Sequence, residues 1–144
     1  MSDTPEVLFV CVHNGGRSQI AAGFLQHYAG DRVRVRSGGS APEDQVNPLV
    51  VAAMAEAGID ISAEVPKKVT DAAVEAADVV VTMGCGDACP FIPGKRYEDW
   101  DLSDPSGTTI EEIRPIRDDI ECRVIALLDE LVGAQTGEGA ISNG

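Results

Sequence analysis

Apolar positions along the chain alternate between strand-like runs and helix-spaced stripes. Glu6 to Cys11 encloses Val7-Leu8-Phe9-Val10, a continuous apolar run that predicts a buried strand ending at the cysteine. From Ser18 to Ala29, Ile20, Ala21, Phe24, Leu25 and Tyr28 recur at helical spacing, and Gly30 supplies a stop. Arg32 to Ser37 alternates Val33 and Val35 with arginines, which predicts a half-exposed strand closed by Gly38-Gly39. Asn47-Pro48 offers a cap residue and a proline for the first turn of a helix that Gly58 ends. Thr70-Asp71 opens another short helix. Ala77 to Thr82, with Val79-Val80-Val81 inside, predicts a strand buried on both faces, and Lys95 to Trp100 a shorter edge strand. Thr109 and Glu112 have the spacing of a capping box. The helix after them carries Ile116, Ile120, Val124, Leu127 and Leu131 on one face, with Pro115 expected to kink or restart it.

Strands alternating with helices predict an α/β domain with a mostly parallel sheet. Ligands of such sheets bind beyond the carboxyl ends of the strands, where both Cys11 and the turn after Thr82 fall. Neither a repeat nor a linker interrupts the chain. One domain is expected over residues 1–132, followed by a small polar tail, 133–144, expected to be disordered.

Composition narrows the function. A formal net charge of −13 argues against nucleic acid or an anionic membrane as the main partner. No segment resembles a signal peptide or approaches the ~20 apolar residues of a membrane span, so a soluble cytoplasmic monomer is expected. The same charge repels anions, so an anion-binding site must bring its own donors and positive charge. The 4 cysteines should then be reduced at rest, which favours redox, catalytic, metal-binding or buried roles over a disulfide framework.

One loop meets the requirement for local donors. Cys11-Val12-His13-Asn14-Gly15-Gly16-Arg17-Ser18 joins the first strand to the first helix, a setting in which backbone N–H groups can form an anion nest. Gly15 and Gly16 permit positive φ and close approach, and Asn14 tolerates the left-handed region. The helix N-terminus adds partial positive charge, and Arg17 can grip two oxygens with its planar fork. These features favour Cys11 as a thiolate, with Ser18 placed to hydrogen-bond it. The bland alternative is a Gly-rich turn beside a buried cysteine. His13 either adds cationic character or is a solvated loop histidine, the commoner situation.

Further along, Asp104-Pro105 lies in a turn-rich loop, where the aspartate is either a turn residue or a general acid. Asp99 and Asp101 are weaker candidates. Cys85 and Cys89 follow the third strand with Gly86 between them, and thiols so spaced can approach the ~5.5 Å Cα separation of a disulfide. They can equally be packed thiols, or bind zinc with His13. Cys122 falls off the last helix's apolar stripe and reads as a spectator surface thiol.

Cys11, Arg17 and Ser18, followed late in the chain by Asp104-Pro105, make the sequence resemble the low-molecular-weight tyrosine-phosphatase fold, and within it the arsenate reductases, from about Glu6 to Leu131. The resemblance implies a three-layer sandwich in which a four-stranded parallel sheet carries helices on both faces. It implies that Cys11 attacks arsenate, for which phosphate or sulfate are mimics, while residues 12–17 bind its oxygens and Asp104 assists loss of one. It further implies a relay in which Cys85 attacks the Cys11 adduct, releasing arsenite, and Cys89 then resolves the Cys11–Cys85 disulfide. Thioredoxin, or a small thiol such as mycothiol, would reduce the product disulfide, with no tightly bound cofactor and no metal. An acidic residue that some members use to hold potassium has no counterpart in Ser18-Gln19-Ile20-Ala21-Ala22.

Two rival functions use the same loop. A tyrosine or small-ester phosphatase would want aromatic residues at the mouth, for which Phe91, Tyr97 and Trp100 are the candidates. A non-catalytic oxyanion- or metal-responsive module would use Cys85 and Cys89 for sensing alone.

Overall fold

The computed structural model describes residues 4–83, 96–100 and 109–136, with side chains through 131. The elements are β1 (Glu6–Cys11), α1 (Arg17–Ala29), β2 (Arg34–Gly39), α2 (Pro48–Glu56), α3 (Asp71–Ala76), β3 (Val79–Thr82), β4 (Arg96–Asp99) and α4 (Ile110–Thr136). All four strands are parallel, in the order β2-β1-β3-β4. The chain therefore leaves β1 toward one edge and returns to its other side, which makes the carboxyl ends of β1 and β3 the switch point of the sheet.

The pleat sorts the core. Val7, Phe9 and Cys11 of β1 face one way, into a cluster with Val79 and Val81, Ile20, Phe24 and Leu25 of α1, Met54 of α2, and Ile113, Ile120 and Val124 of α4. Leu8, Val10 and Val80 face the other way and are covered by Val69, Val74 and Ala77 around α3. This is the expected three-layer α/β sandwich. The continuous apolar run of β1 is explained by burial on both faces.

Several boundaries differ from the sequence reading. β2 starts at Arg34 because Gly30–Arg32 forms a 3-10 turn. Arg32 donates back to the carbonyls of Tyr28 at 2.7 Å and Ala29 at 3.2 Å, satisfying the open end of α1. β3 starts at Val79 because the Ala77 N–H still closes α3, bonding Ala73 O and Val74 O at 3.2 Å each. Gly38 and Gly39 belong to β2 and do not close it. α4 runs uninterrupted through Pro115, which sits early in the helix and forfeits only one ladder hydrogen bond there. It also continues past Gly133, where the tail was expected to begin.

The predicted caps form. Asn47 Oδ1 accepts the Leu49 N–H at 2.9 Å, and Thr70 Oγ1 accepts the Ala73 N–H at 3.1 Å. Glu112 Oε1 accepts the Thr109 N–H at 3.3 Å. Across the helical layer, Glu56 of α2 receives Arg114 and Arg117 of α4 at 2.6 and 2.9 Å. Among the described residues no helix is long and apolar enough to cross a membrane.

Candidate active site

Cys11 is the last residue of β1 and Arg17 the first of α1, so the intervening loop sits at the switch point. Beside it, the Met83 N–H continues the β1–β3 pairing by bonding Val10 O at 2.8 Å. The carboxyl ends of the two strands thus lie side by side.

Hydrogen bonds on the outer side of the loop fix which way its amides face. The carbonyls of Cys11, Val12, His13 and Gly15 accept the N–H groups of Ser40, Ala41, Glu43 and Asn47 at 3.2, 2.8, 3.0 and 2.9 Å. All peptides in the described chain are trans, and in a trans peptide the N–H points opposite to the carbonyl of the preceding residue. The N–H groups of Val12, His13, Asn14 and Gly16 therefore turn away from the 40–47 segment. That of Asn14 shows where they go: it donates to Cys11 Sγ at 3.2 Å. The result is a run of inward-turned donors, one of which reaches the sulfur.

Of the three loop residues that permit a positive φ, Asn14 adopts it, with φ of 52°. Gly15 serves close approach instead. A Cβ on Gly15 would lie 3.3 Å from Glu43 Oε1 and 3.4 Å from Gln45 O. A more stringent glycine is Gly39, which the sequence reading passed over as a turn residue. A Cβ there would meet Val12 O at 2.6 Å and Asn14 N at 2.9 Å.

Asn14, Ser18 and Cys11 form a directed chain. The backbone N–H of Lys67 can only donate, and it meets Asn14 Oδ1 at 2.9 Å. That pins the amide so that Nδ2 faces Ser18 Oγ, at 2.7 Å. With Oγ already accepting, the Ser18 hydroxyl proton is free to point at Cys11 Sγ, 2.9 Å away. Cys11 Sγ thus accepts the Asn14 N–H and faces the Ser18 hydroxyl, two groups able to solvate a sulfur nucleophile. Cys11, Asn14, Arg17, Ser18 and Gln19 are all buried.

His13 points its ring outward, with Nδ1 3.4 Å from Glu43 Oε2, both side chains substantially exposed. Its side chain contributes no contact to the sulfur among those described, and its backbone N–H is the part that faces the nest. Trp100, considered for the mouth, is instead buried against Phe9 with ring centroids 5.8 Å apart, and the Arg123 guanidinium lies 6.0 Å from its ring centroid. Tyr97 packs against the opposite core layer. Asp99 accepts the Thr82 hydroxyl at 2.8 Å. Cys122 is free and exposed, as its position off the stripe indicated. Cys85, Cys89, Phe91, Asp101 and Asp104 lie outside the described residues. Among the described residues, no group of three or more His, Cys, Asp or Glu side chains is placed to hold a metal.

Residues that the sequence reading missed are Gln19, Gly39, the N–H of Lys67 and the 40–47 segment. All act through tertiary contacts with the loop. Gln19 lies off the apolar stripe of α1, so its burial had no signal in the spacing.

Comparison with known proteins agrees with this geometry. A Halobacterium salinarum protein, itself only provisionally designated an arsenate reductase, is 41% identical over 85% of this chain and 89% of its own. The glutaredoxin arsenate reductase of Synechocystis is 34% identical over 88% of this chain and 98% of its own. Among solved structures, the thioredoxin-dependent arsenate reductase of Corynebacterium glutamicum superposes with a TM-score of 0.81 at 47% identity, covering 92% of this chain. This chain spans 64% of that protein's length. The family model described as low molecular weight phosphotyrosine protein phosphatase matches residues 6–136, which takes in the whole sheet, the Cys11–Ser18 loop and α4. On the matching fold, loop and relatives, the chain belongs to the low molecular weight phosphotyrosine protein phosphatase family.

Proposed function

We propose that the protein reduces arsenate to arsenite, with Cys11 as nucleophile. The observation that carries this reading is the pair of donors converging on Cys11 Sγ at the mouth of an inward-facing amide nest. A sulfur contacted this way beside inward-facing amides suits nucleophilic attack on a tetrahedral oxyanion, and relatives that match most of the chain bear arsenate reductase names. In this reading the N–H groups of residues 12–16 bind the arsenate oxygens, and the Arg17 guanidinium takes two of them. Phosphate and sulfate occupy the same nest as mimics.

The chemistry proceeds in balanced steps. Cys11 thiolate attacks arsenic and forms an S–As bond, and Asp104 gives its proton to the oxygen that leaves as water. Cys85 thiolate then attacks Cys11 Sγ. The S–As bond breaks with its electron pair going to arsenic, so arsenic falls from the +5 to the +3 state as the Cys11–Cys85 disulfide forms. Cys89 attacks Cys85, releasing Cys11 and leaving a Cys85–Cys89 disulfide. Thioredoxin reduces that disulfide; a small thiol such as mycothiol is the second choice of reductant. No cofactor need stay bound. The protein is read as a cytoplasmic monomer with slow residual phosphatase activity, since the nest does not distinguish phosphate from arsenate. Trp100 is buried and the half-buried Tyr97 packs against the opposite core layer, which disfavours either as a stacking partner for a tyrosyl ring and so a dedicated tyrosine phosphatase.

Arsenite formation coupled to thioredoxin, thioredoxin reductase and NADPH tests the reading. Cys11→Ser should abolish turnover, and Cys85→Ser and Cys89→Ser should each stop multiple turnover. Full multiple turnover by Cys89→Ser with thioredoxin would sink the relay. Phosphate-ester hydrolysis in the parent with no arsenate reduction would replace the reductase by a hydrolase. Stoichiometric zinc with neither activity would indicate a binding module.

A further inference from the structure

Gln19 is a buried polar side chain that the proposed chemistry does not use. It stands on the first turn of α1, 1% exposed, and its Nε2 donates to both oxygens of Asn14: the backbone carbonyl at 3.1 Å and Oδ1 at 3.2 Å. One amide nitrogen therefore grips the residue whose left-handed φ shapes the loop. The bond to the Asn14 carbonyl also sets the adjoining peptide between Asn14 and Gly15. The bond to Oδ1 adds to that of the Lys67 N–H, and together they commit Oδ1 as acceptor and Nδ2 as donor to Ser18.

We propose that Gln19 is a positioning residue for the nucleophile, acting through Asn14 and Ser18 to keep the Ser18 hydroxyl proton directed at Cys11 Sγ. It touches neither sulfur nor substrate. The inference rests on reading Cys11 as the reactive thiolate. The physical need is specific. A free Asn14 amide could turn its oxygen toward Ser18, whose proton would then go to that oxygen and leave the sulfur with one donor. Gln19 opposes this rotation because a rotated amide would bring Nδ2 against Nε2, donor against donor.

A cavity of about 560 Å³ between α1, β2 and residues 58–73 has Gln19 in its wall and none of the residues from Cys11 to Ser18. A substitute at position 19 thus has room on the side away from the loop, so local rearrangement need not disrupt the sheet.

The test reads Cys11 directly, without arsenate. Alkylation by iodoacetamide at pH 7 is followed at the Cys11 peptide by mass spectrometry, with thiolate absorbance near 240 nm as a second measure. Gln19→Met keeps the size and removes both bonds; Gln19→Glu replaces the donor by an acceptor facing two oxygens. The expected loss in alkylation rate is on the order of 10-fold for Gln19→Met, the scale of a hydrogen bond to an ionised group, and more for Gln19→Glu. Each is repeated in a Ser18→Ala background. A residue acting through Ser18 should there lose most of its effect, leaving about 2-fold or less, whereas a merely structural role would give effects that multiply. Unchanged alkylation in both variants, or full multiplication with Ser18→Ala, overturns the proposal. Should one variant fail to fold, judged by circular dichroism, the other carries the cycle. Because no arsenate is involved, a failure here leaves the reductase reading to its own assay.

Discussion

The backbone N–H of Lys67 donates to the side-chain oxygen of Asn14 at 2.9 Å, joining residues 53 apart in the chain. A main-chain donor cannot reverse its polarity, so this contact, together with that from Gln19 Nε2, sets which way the Asn14 side-chain amide faces Ser18.

Asn14→Asp puts that directionality to the test. The carboxylate keeps the shape and tolerates the left-handed φ, but it offers Ser18 an acceptor in place of a donor. The Ser18 proton should turn to the carboxylate, and a second negative charge then sits near Cys11. Alkylation of Cys11 at pH 7 should fall by roughly 10- to 100-fold, corresponding to about 1.5–3 kcal/mol for a bond to a charged group. Peptide-resolved iodoacetamide kinetics would show it. An unchanged rate would mean that Ser18 does not donate to the sulfur.

Gly39→Ala should damage the same loop sterically. Its Cβ would lie within 2.9 Å of two backbone atoms, Val12 O and Asn14 N, which cannot swing aside as a side chain would. A loss of about 1–3 kcal/mol is expected, the usual cost of overpacking, together with weakened phosphate binding. Urea unfolding and phosphate titration measure the two effects. Gly30→Ala provides contrast, since nothing lies within 4 Å of its Cβ and only its φ of 57° resists. It should destabilise without altering phosphate affinity.

The α2–α4 ion cluster predicts a pH dependence. Hydrogen bonds from Arg114, then Arg117, hold the Glu56 carboxyl down from 4.5 to about 2. A depressed carboxyl stabilises the fold above its unfolded value near 4.5, and that contribution disappears as pH falls toward 2. Glu56→Gln should therefore lower the melting temperature at pH 7, with the gap to the parent closing across that window. The group is on the surface, so added salt should also narrow the gap. A gap that widens on acidification would contradict the assignment.

Two further substitutions separate core from surface thiol. Phe24→Ala empties a fully packed position between α1 and the sheet and should cost about 3–5 kcal/mol in chemical denaturation. Cys122→Ser removes an exposed, free thiol and should change stability by no more than about 0.5 kcal/mol. Arsenite formation by Cys122→Ser should equal the parent's; a fall of several-fold would bring a fourth cysteine into the cycle.

Most of the fold was legible in the chain because each element buries a face its own pattern advertises. Val7 to Val10 reads as a strand covered on both sides, and it is one. Asn47 and Thr70 mark helix starts by chemistry that operates within three residues. The boundaries that shifted did so where a neighbouring element claimed the backbone. Arg32 was taken by the end of α1, and Ala77 by the end of α3.

By itself, the sequence determined the order of strands and helices, the place of Cys11 between a strand and a helix, and the identities of Arg17 and Ser18 beside it. These follow from periodicity and from side chains close in sequence. Only the tertiary structure decided that the carbonyls of the loop are tied outward to residues 40–47, turning its amides toward the sulfur. It alone chose Asn14 among the three loop residues that permit a positive φ, made Gly39 a close-approach position, and brought Gln19 and the Lys67 N–H onto one amide. The reason is physical: hydrogen-bond direction in a buried loop is set by donors and acceptors far away in the chain, and spacing along the sequence carries no record of them.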